Sequence, residues 1–106
     1  MRILLDHGTP APLRRALAGH AVATTYEKGW ATLANGALLT EAEAAFDVFV
    51  TTDQSLRYQQ NLAGRRLAIL VLPTTSWPRL RPHAVLIAQV IASLGAGELR
   101  EWSLPA

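Results

Sequence analysis

The chain has 106 residues, of which 50% are hydrophobic and 17% are charged, and its formal net charge is +2. These values predict one globular domain over residues 1–106 and exclude both a disordered chain and a two-domain protein. The sequence contains no cysteine, which excludes a disulfide framework and a thiolate zinc site.

The sequence lacks the pattern of a signal peptide or a membrane span. The apolar run at residues 3–5 ends at Asp6, which makes it much shorter than the apolar segment of a signal peptide. The longest later apolar tract, residues 84–97, is interrupted by Gln89 and Ser93 and is too short to cross a bilayer. We therefore expect a cytoplasmic protein without a membrane partner.

Five short apolar runs have the length and composition of β-strands. In chain order they cover residues 2–5, 20–25, 47–52, 66–72 and 98–104. The third run mixes Val and Phe on both faces, which indicates a strand that is buried on both sides. The fourth is the most hydrophobic, and the fifth is expected to close the sheet.

Helical patterns separate these strands. In chain order they cover about residues 12–18, 36–45, 54–63 and 83–94, and residues 26–35 and 73–82 are expected to be loops. The second helix has one apolar face, formed by Leu38, Leu39, Ala42 and Phe46. The apolar residues of the last helix are Val85, Leu86, Ile87, Val90, Ile91 and Leu94.

The alternation of strands and helices predicts an α/β fold. We expect a three-layer α/β/α arrangement around a central, mostly parallel sheet of four to five strands. In such sheets, ligands bind in the loops at the carboxyl ends of the strands. The residues that directly follow each predicted strand are therefore the first candidates for a functional site.

Two aspartates occupy such positions. Asp6 follows the first strand and Asp53 follows the third. If these strands are neighbours, about 4.8 Å apart, the two carboxylates can share one hydrated Mg²⁺ or Mn²⁺, since both ions prefer oxygen ligands. Asp6 and Asp53 are thus candidate metal ligands; the alternative is that each carboxylate caps its own turn or the helix that follows.

Further polar residues are expected at the same edge of the sheet. Asn35 stands where the second helix begins, so it is either the N-cap of that helix or a neutral third member of the site. Glu41 and Glu43 lie about 9 and 12 Å further along the helix axis, which makes them poorer ligands. The substrate-binding candidates are Thr9, Gln54, Ser55, Arg57 and Gln59. Among these, Arg57 suits a phosphate or a developing transition-state charge.

The remaining basic and aromatic residues allow two interpretations. Nine of the ten basic residues are arginine, which suits phosphate and carboxylate partners; they form either solvated faces or a surface for a polyanion. The tryptophans are expected to be packing groups or interface anchors rather than nucleobase stackers. These are Trp30, Trp77 and Trp102. None of the three histidines, His7, His20 and His83, is expected to be a metal ligand.

The ordered blocks "MRILLDHGTP", "NGALLTEAEAAFDVFVTTDQSLRYQQN" and "RRLAILVLP" resemble an uncharacterised bacterial group of PIN-like proteins over about residues 1–75. The resemblance implies a Mg²⁺- or Mn²⁺-dependent ribonuclease, in which Asp6 and Asp53 match acidic positions that bind metal. Many PIN proteins are toxins of toxin–antitoxin pairs and many form dimers, so the implied partners are RNA, an antitoxin protein and a second copy of the chain.

The sequence departs from the family pattern at three positions. His7 and Gly8 follow the first aspartate, and Asn35 stands at the middle acidic position. With fewer carboxylates the site would hold a divalent ion weakly. A catalytically degenerate PIN-like module that binds RNA or a protein partner is therefore the alternative function. A nucleotide-binding domain is disfavoured because no G-x-G-x-x-G loop follows the first strand.

Overall fold

A computed structural model describes residues 1–59 and 62–105, except for the side chains of Arg57 and Gln59. In this part of the chain, five strands form one all-parallel sheet. They are β1 (Arg2–Leu5), β2 (Ala21–Thr24), β3 (Val48–Thr51), β4 (Ala68–Val71) and β5 (Leu99–Glu101). The predicted α/β fold with a parallel sheet is confirmed.

The helices lie between successive strands, as the alternation predicted. They are α1 (Leu13–Ala16), α2 (Asn35–Ala45), α3 (Leu56–Gln59), α4 (Trp77–Leu80) and α5 (Ala84–Ser93). A 3₁₀ turn over Arg81–His83 joins α4 to α5. The longer helices are α2 and α5, and the other three are single turns.

The strand order is β2-β1-β3-β4-β5. From β1 the chain moves outward to β2 and then crosses back to β3 on the other side of β1. The direction of winding therefore reverses between β1 and β3, which makes this the switch point where ligands bind in open α/β sheets. Pairing of Leu5 with Val50 and a 2.9 Å hydrogen bond from the Asp6 amide to the Val50 carbonyl bring the two strand ends side by side.

The sheet has a separate apolar cluster on each face. Strand residues alternate between them, as the two-residue period of a strand requires: Ile3 and Leu5 pack with Leu13 of α1 and Ile87 of α5. Leu4 belongs to the second cluster. In it, Leu4 and Phe49 pack with Leu38, Leu39 and Ala42 of α2 and Leu56 of α3. This double burial explains why β3 and β4 are apolar on both sides, and it is consistent with the expected three layers.

Two helical predictions were inaccurate. Residues 73–82, expected to be a loop, contain α4 and the 3₁₀ turn. Pro78 and Pro82 are compatible with these elements, because each stands within the first two positions of its element, where the missing N–H has no helical partner to lose. In addition, α1 is a single turn rather than the predicted helix over 12–18.

The apolar residues of α5 do not all face the core. Ile87 and Ile91 are buried, whereas Val85 is 72% and Leu86 is 43% exposed. An i, i+4 spacing brings Ile87 and Ile91 to one side of the helix, and Val85 and Leu86 fall outside that stripe. The hydrophobic β4 is fully buried and offers no surface to a partner.

Two further expectations were a helix after β3 and the absence of a membrane-spanning segment. The helix predicted over 54–63 is observed only as the single turn α3 (Leu56–Gln59), and its predicted residues 60 and 61 lie outside the described residues. Across the described ranges, 1–59 and 62–105, there is no helix of the length and apolarity that a bilayer crossing requires.

Candidate functional site at the switch point

The carboxyl ends of β1 and β3 border a pocket of about 280 Å³, which we call the switch-point pocket. Its polar wall contains Asp6, His7, Asn35, Thr52 and Asp53. Its apolar wall is formed by the side chains of Trp30, Leu33 and Leu38 with Ala31. The structure thus brings together Asp6, Asn35 and Asp53, the three residues that the sequence placed at one edge.

Asp6 is held by the strand that lies beside it. The hydroxyl of Thr51, the last residue of β3, donates to Asp6 Oδ2 over 2.8 Å, and the amide of His7 donates to Asp6 Oδ1 over 2.9 Å. The His7 ring nitrogen Nδ1 lies 3.2 Å from the same Oδ1. The Asp6 side chain is only 13% exposed, while that of His7 is 71% exposed, so the imidazole covers the outer side of the carboxylate.

Asp53 is held by its own turn and by α2. The amide and the hydroxyl of Ser55 donate to Asp53 Oδ1 over 3.0 and 2.8 Å, and the Asn35 side chain donates to Oδ2 over 3.2 Å. The hydrogen bond from the Ser55 hydroxyl lowers the pKa of Asp53 most; burial opposes this, and the Ser55 amide and Asn35 add to the lowering. Asp53 is therefore an anion at neutral pH.

Thr51 connects the two acidic positions and was missed by the sequence analysis. Its buried hydroxyl donates to Asp6 Oδ2 and accepts a 3.1 Å hydrogen bond from the Asp53 amide. One hydroxyl can do both, because it carries one donor and two acceptor lone pairs. The signal in the sequence was a threonine ending an otherwise apolar strand two residues before an aspartate.

Asn35 is not the N-cap of α2. Ala34 occupies that position without a side-chain cap, and Asn35 is the first helical residue. Its amide nitrogen instead faces the Asp53 carboxylate, an arrangement that charge complementarity favours. Through this contact Asn35 orients Asp53.

The predicted substrate-binding residues have mixed positions. Thr9 is buried and its hydroxyl donates to the Val50 carbonyl over 3.1 Å, so it does not line the pocket and supports the β1 loop instead. The Gln54 amide nitrogen donates to the carbonyl oxygens of Thr52 and Leu72, which joins the loops after β3 and β4. Ser55 is occupied with Asp53.

Arg57, Gln59 and Glu43 are the remaining residues that the sequence analysis considered for the site. The side chains of Arg57 and Gln59 lie outside the described residues. Glu43 accepts a hydrogen bond from the Arg66 amide and pairs with Arg65. It lines a different pocket, together with Arg2 and Asp47 at the start of β1 and β3. Glu43 is therefore not part of the switch-point pocket, as its place on the helix predicted.

Gly8 allows the loops around the pocket to pack closely. A Cβ atom at this position would lie 2.7 Å from Thr52 Oγ1 and 3.8 Å from Thr75 Cγ2. The loops that follow β1, β3 and β4 therefore meet at Gly8. A side chain at this position would displace Thr52 from the pocket wall.

The donor set suits one divalent cation better than two. Among the described residues there is no group of three or more His, Cys, Asp or Glu side chains placed to hold a metal ion. The pocket offers two carboxylates, and each Oδ2 accepts one hydrogen bond from these residues, which leaves it a lone pair. Mg²⁺ is commonly held by one or two carboxylates, with water and substrate phosphate as its other ligands.

Comparison of this chain with protein-family models, with curated proteins and with solved structures finds no match. The function of the protein is therefore inferred from the chemistry of the switch-point pocket.

The lowered pKa of Asp53 predicts a pH-dependent contribution to stability. Because the pKa is lower in the folded protein than in the unfolded chain, the contribution is fully present above the ordinary aspartate range and is lost as the pH falls through the folded pKa. We expect wild type to exceed Asp53→Asn by about 1 kcal/mol in free energy of unfolding at pH 6–7, since hydrogen bonds to charged groups are stronger than neutral ones.

This difference should shrink towards zero near pH 3, measured by urea denaturation in EDTA. Comparing the two proteins at each pH cancels the contributions of Asp47, Glu27 and Glu98, whose pKa values are also lowered. A difference that stays constant from pH 7 to pH 3 would contradict the assignment to the Asp53 carboxylate.

Proposed function

We propose that this protein is a PIN-like ribonuclease that hydrolyses RNA phosphodiester bonds with one Mg²⁺ or Mn²⁺ held by Asp6 and Asp53. The observation that carries the proposal is the position of both carboxylates in one pocket at the switch point of a parallel sheet. The resemblance to PIN-like proteins over residues 1–75 points to the same chemistry.

Each residue of the pocket has a part in this proposal. A divalent ion, when bound, lowers the pKa of a bound water and polarises the scissile phosphate. Asp6 and Asp53 would hold the ion. Thr51 orients Asp6, and Asn35 and Ser55 orient Asp53, because supporting hydrogen bonds fix the direction of metal-binding carboxylates.

The small number of carboxylates makes substrate part of the metal site. Two carboxylates neutralise one divalent ion, and an RNA phosphate adds a further oxygen ligand and a further negative charge. We therefore expect weak binding of metal to the free protein and tighter binding in the presence of RNA. The proposed partner is RNA; a cytoplasmic location, an antitoxin protein and a homodimer stay predictions.

A non-catalytic PIN-like module is the second candidate function, and a specific observation favours it. All four carboxylate oxygens of Asp6 and Asp53 accept hydrogen bonds within the protein, so both side chains are stable without a cation. In such a module the pocket would bind RNA or a protein partner without hydrolysis. Cleavage assays separate the two functions, as set out in the Discussion.

Metal binding is tested by thermal denaturation. We expect Mn²⁺ at about ten times its Kd to stabilise the wild type by about 1.4 kcal/mol, which corresponds to a rise in Tm of roughly 5–10 °C for a domain of this size. Asp6→Asn and Asp53→Asn should show almost no rise, because each removes one of the two charges that hold the ion.

Glu43→Gln is the matched control, since it removes one negative charge outside the switch-point pocket. It should respond to Mn²⁺ as the wild type does. The shift within each protein, with and without Mn²⁺, is the quantity to compare, because the substitutions also change the starting Tm. Equal shifts in wild type and Asp53→Asn would remove the metal site from the proposal.

A further inference from the structure

A second concave surface lies between α1 and the segment that runs from α4 to α5. This groove has a volume of about 550 Å³ and is lined by Pro12, Arg15, Ala16, Trp77, Arg81 and Ala84. We call it the arginine groove. Its volume is in the range of pockets that hold small ligands or parts of larger ones, and it is separate from the switch-point pocket.

The two arginines of this groove have no acidic partner among the described residues. Arg2, Arg14, Arg65 and Arg100 form ion pairs with Asp47, Glu27, Glu43 and Glu98, respectively. In contrast, Arg15 and Arg81 are exposed, and no acidic side chain lines their groove. The groove therefore carries two positive charges that nothing in the described chain neutralises, and it suits an anionic ligand.

An aromatic side chain, Trp77, lines the same groove as these two charges. The Arg81 amide donates to the Trp77 carbonyl, so the two residues are one helical turn apart and on the same side. Trp77 is partly buried and packs on the cluster that contains Leu80 and Ile87, yet it also lines the groove. The expectation that Trp77 is a packing group is thus correct but incomplete, because Trp77 also lines the arginine groove.

The arginine groove begins close to the switch-point pocket. Gly8, in the wall of that pocket, packs near Thr75, which is two residues before Trp77. Pro12, at the other side of the groove, is four residues after Gly8. The loops that carry Gly8 and Thr75 thus connect the groove with the pocket that contains Asp6 and Asp53.

We propose that the arginine groove binds single-stranded RNA next to the switch-point pocket. Arg15 and Arg81 contact consecutive phosphates, and a base stacks on the exposed part of Trp77. Arginine forks suit phosphate, and aromatic stacking with phosphate contacts is how proteins bind unpaired strands. The proposal deepens the proposed function, on which it rests, by naming an unpaired strand as the substrate and the path that it takes.

The test measures binding without metal, so that it does not depend on hydrolysis. A fluorescein-labelled 12-nucleotide oligouridylate is titrated in EDTA and followed by anisotropy at several salt concentrations. Arg15→Gln/Arg81→Gln should bind at least about tenfold more weakly. In addition, the negative slope of log K, where K is the association constant, against log[salt] should become shallower by roughly 1.4. This is the value for two lost phosphate contacts at about 0.7 each on single strands.

The charge-matched control is Arg66→Gln/Arg79→Gln. Both residues are exposed and line neither this groove nor the switch-point pocket, and the double variant has the same net charge as Arg15→Gln/Arg81→Gln. Its affinity should stay within about threefold of wild type, because only diffuse attraction is reduced. Equal losses in the two double variants would overturn the proposal in favour of general surface charge.

Stacking is tested by Trp77→Leu, which keeps apolar packing, and by Trp77→Phe, which keeps an aromatic ring. Trp77→Leu should weaken binding by roughly 5- to 100-fold, the range for loss of one stacked base, while Trp77→Phe should retain most of the affinity. If Trp77→Leu does not fold, the arginine variants alone decide. Tighter binding of a 12-base-pair duplex, or unchanged binding by a folded Trp77→Leu, would overturn the proposal.

The outcomes for the groove and for the ribonuclease are independent. The groove variants keep Asp6 and Asp53, and their binding is measured in EDTA, so this measurement does not depend on hydrolysis. If the groove variants lose binding but no cleavage is found, the groove stands and the ribonuclease fails. If cleavage is found but the groove variants bind normally, the ribonuclease stands and the groove fails.

Discussion

Asp6→Asn/Asp53→Asn is expected to lose RNA cleavage by a factor on the order of 100 or more. Mutation of a residue that only hydrogen-bonds to a metal ligand typically reduces metal affinity or activity 10- to 100-fold. This variant removes the charges of both proposed ligands themselves. Asparagine is close in shape to aspartate, so the pocket keeps its volume while its negative charge disappears. Cleavage of a labelled single-stranded RNA with 5 mM Mn²⁺ or Mg²⁺, followed by gel electrophoresis, measures the effect.

The matched control for this experiment is Glu41→Gln/Glu43→Gln, which changes the net charge equally but leaves the switch-point pocket intact. It should cleave at close to the wild-type rate. Full activity of the double aspartate variant would show that the cleavage comes from another site or another protein in the sample. A wild type without metal-dependent cleavage, together with retained RNA binding, would instead favour the non-catalytic module.

Gly97→Ala is expected to lower the free energy of unfolding by about 2–4 kcal/mol. Gly97 has a φ of +76°, a left-handed conformation that costs a residue with a Cβ about 1–2 kcal/mol. The new Cβ would also lie 2.7 Å from the Arg65 carbonyl oxygen, a backbone atom that moves only with its segment, and such overpacking costs a further 1–3 kcal/mol. The Gly97 amide donates to the Arg66 carbonyl, so the displacement would disturb the approach to β4 and β5.

Gly29→Ala separates the two contributions. Gly29 has nearly the same φ, +75°, but among the described residues beyond its two chain neighbours no heavy atom lies within 4 Å of the position that an alanine methyl group would take there. Only the conformational cost of about 1–2 kcal/mol should remain. Urea denaturation of both variants gives the comparison, and equal losses would mean that the contact with Arg65 carries no energetic weight.

The site could be predicted from the sequence only in part. Asp6 and Asp53 stand out because each is a charged residue directly after an apolar strand, and parallel strands present their carboxyl ends at one edge. For Asn35 the sequence left two alternatives open, a helix cap or a third member of the site, and only the packing of α2 directs its amide to Asp53. Thr51 gave too weak a signal, because threonine is common in strands.

Other residues show that the sequence does not indicate the direction of a side chain. Thr9 looked available to substrate because it stands in a polar turn, but its hydroxyl is turned inward to the Val50 carbonyl. Val85 and Leu86 looked like core residues because they are apolar, but α5 buries only the stripe that contains Ile87 and Ile91. In each case the sequence shows the type of residue, but it does not show the direction in which the side chain points.

The sequence by itself determined the approximate positions of the strands, the class of the fold and the edge of the sheet at which polar groups collect. These depend on local patterns, namely apolar runs, helical periodicity and turn residues, which can be read within about ten residues. The strand order was decided only in the tertiary structure, and with it the pairing of β1 with β3 that brings Asp6 and Asp53 into one pocket. That order depends on contacts between residues far apart in the chain, such as Thr51 with Asp6, whose energy no local pattern encodes.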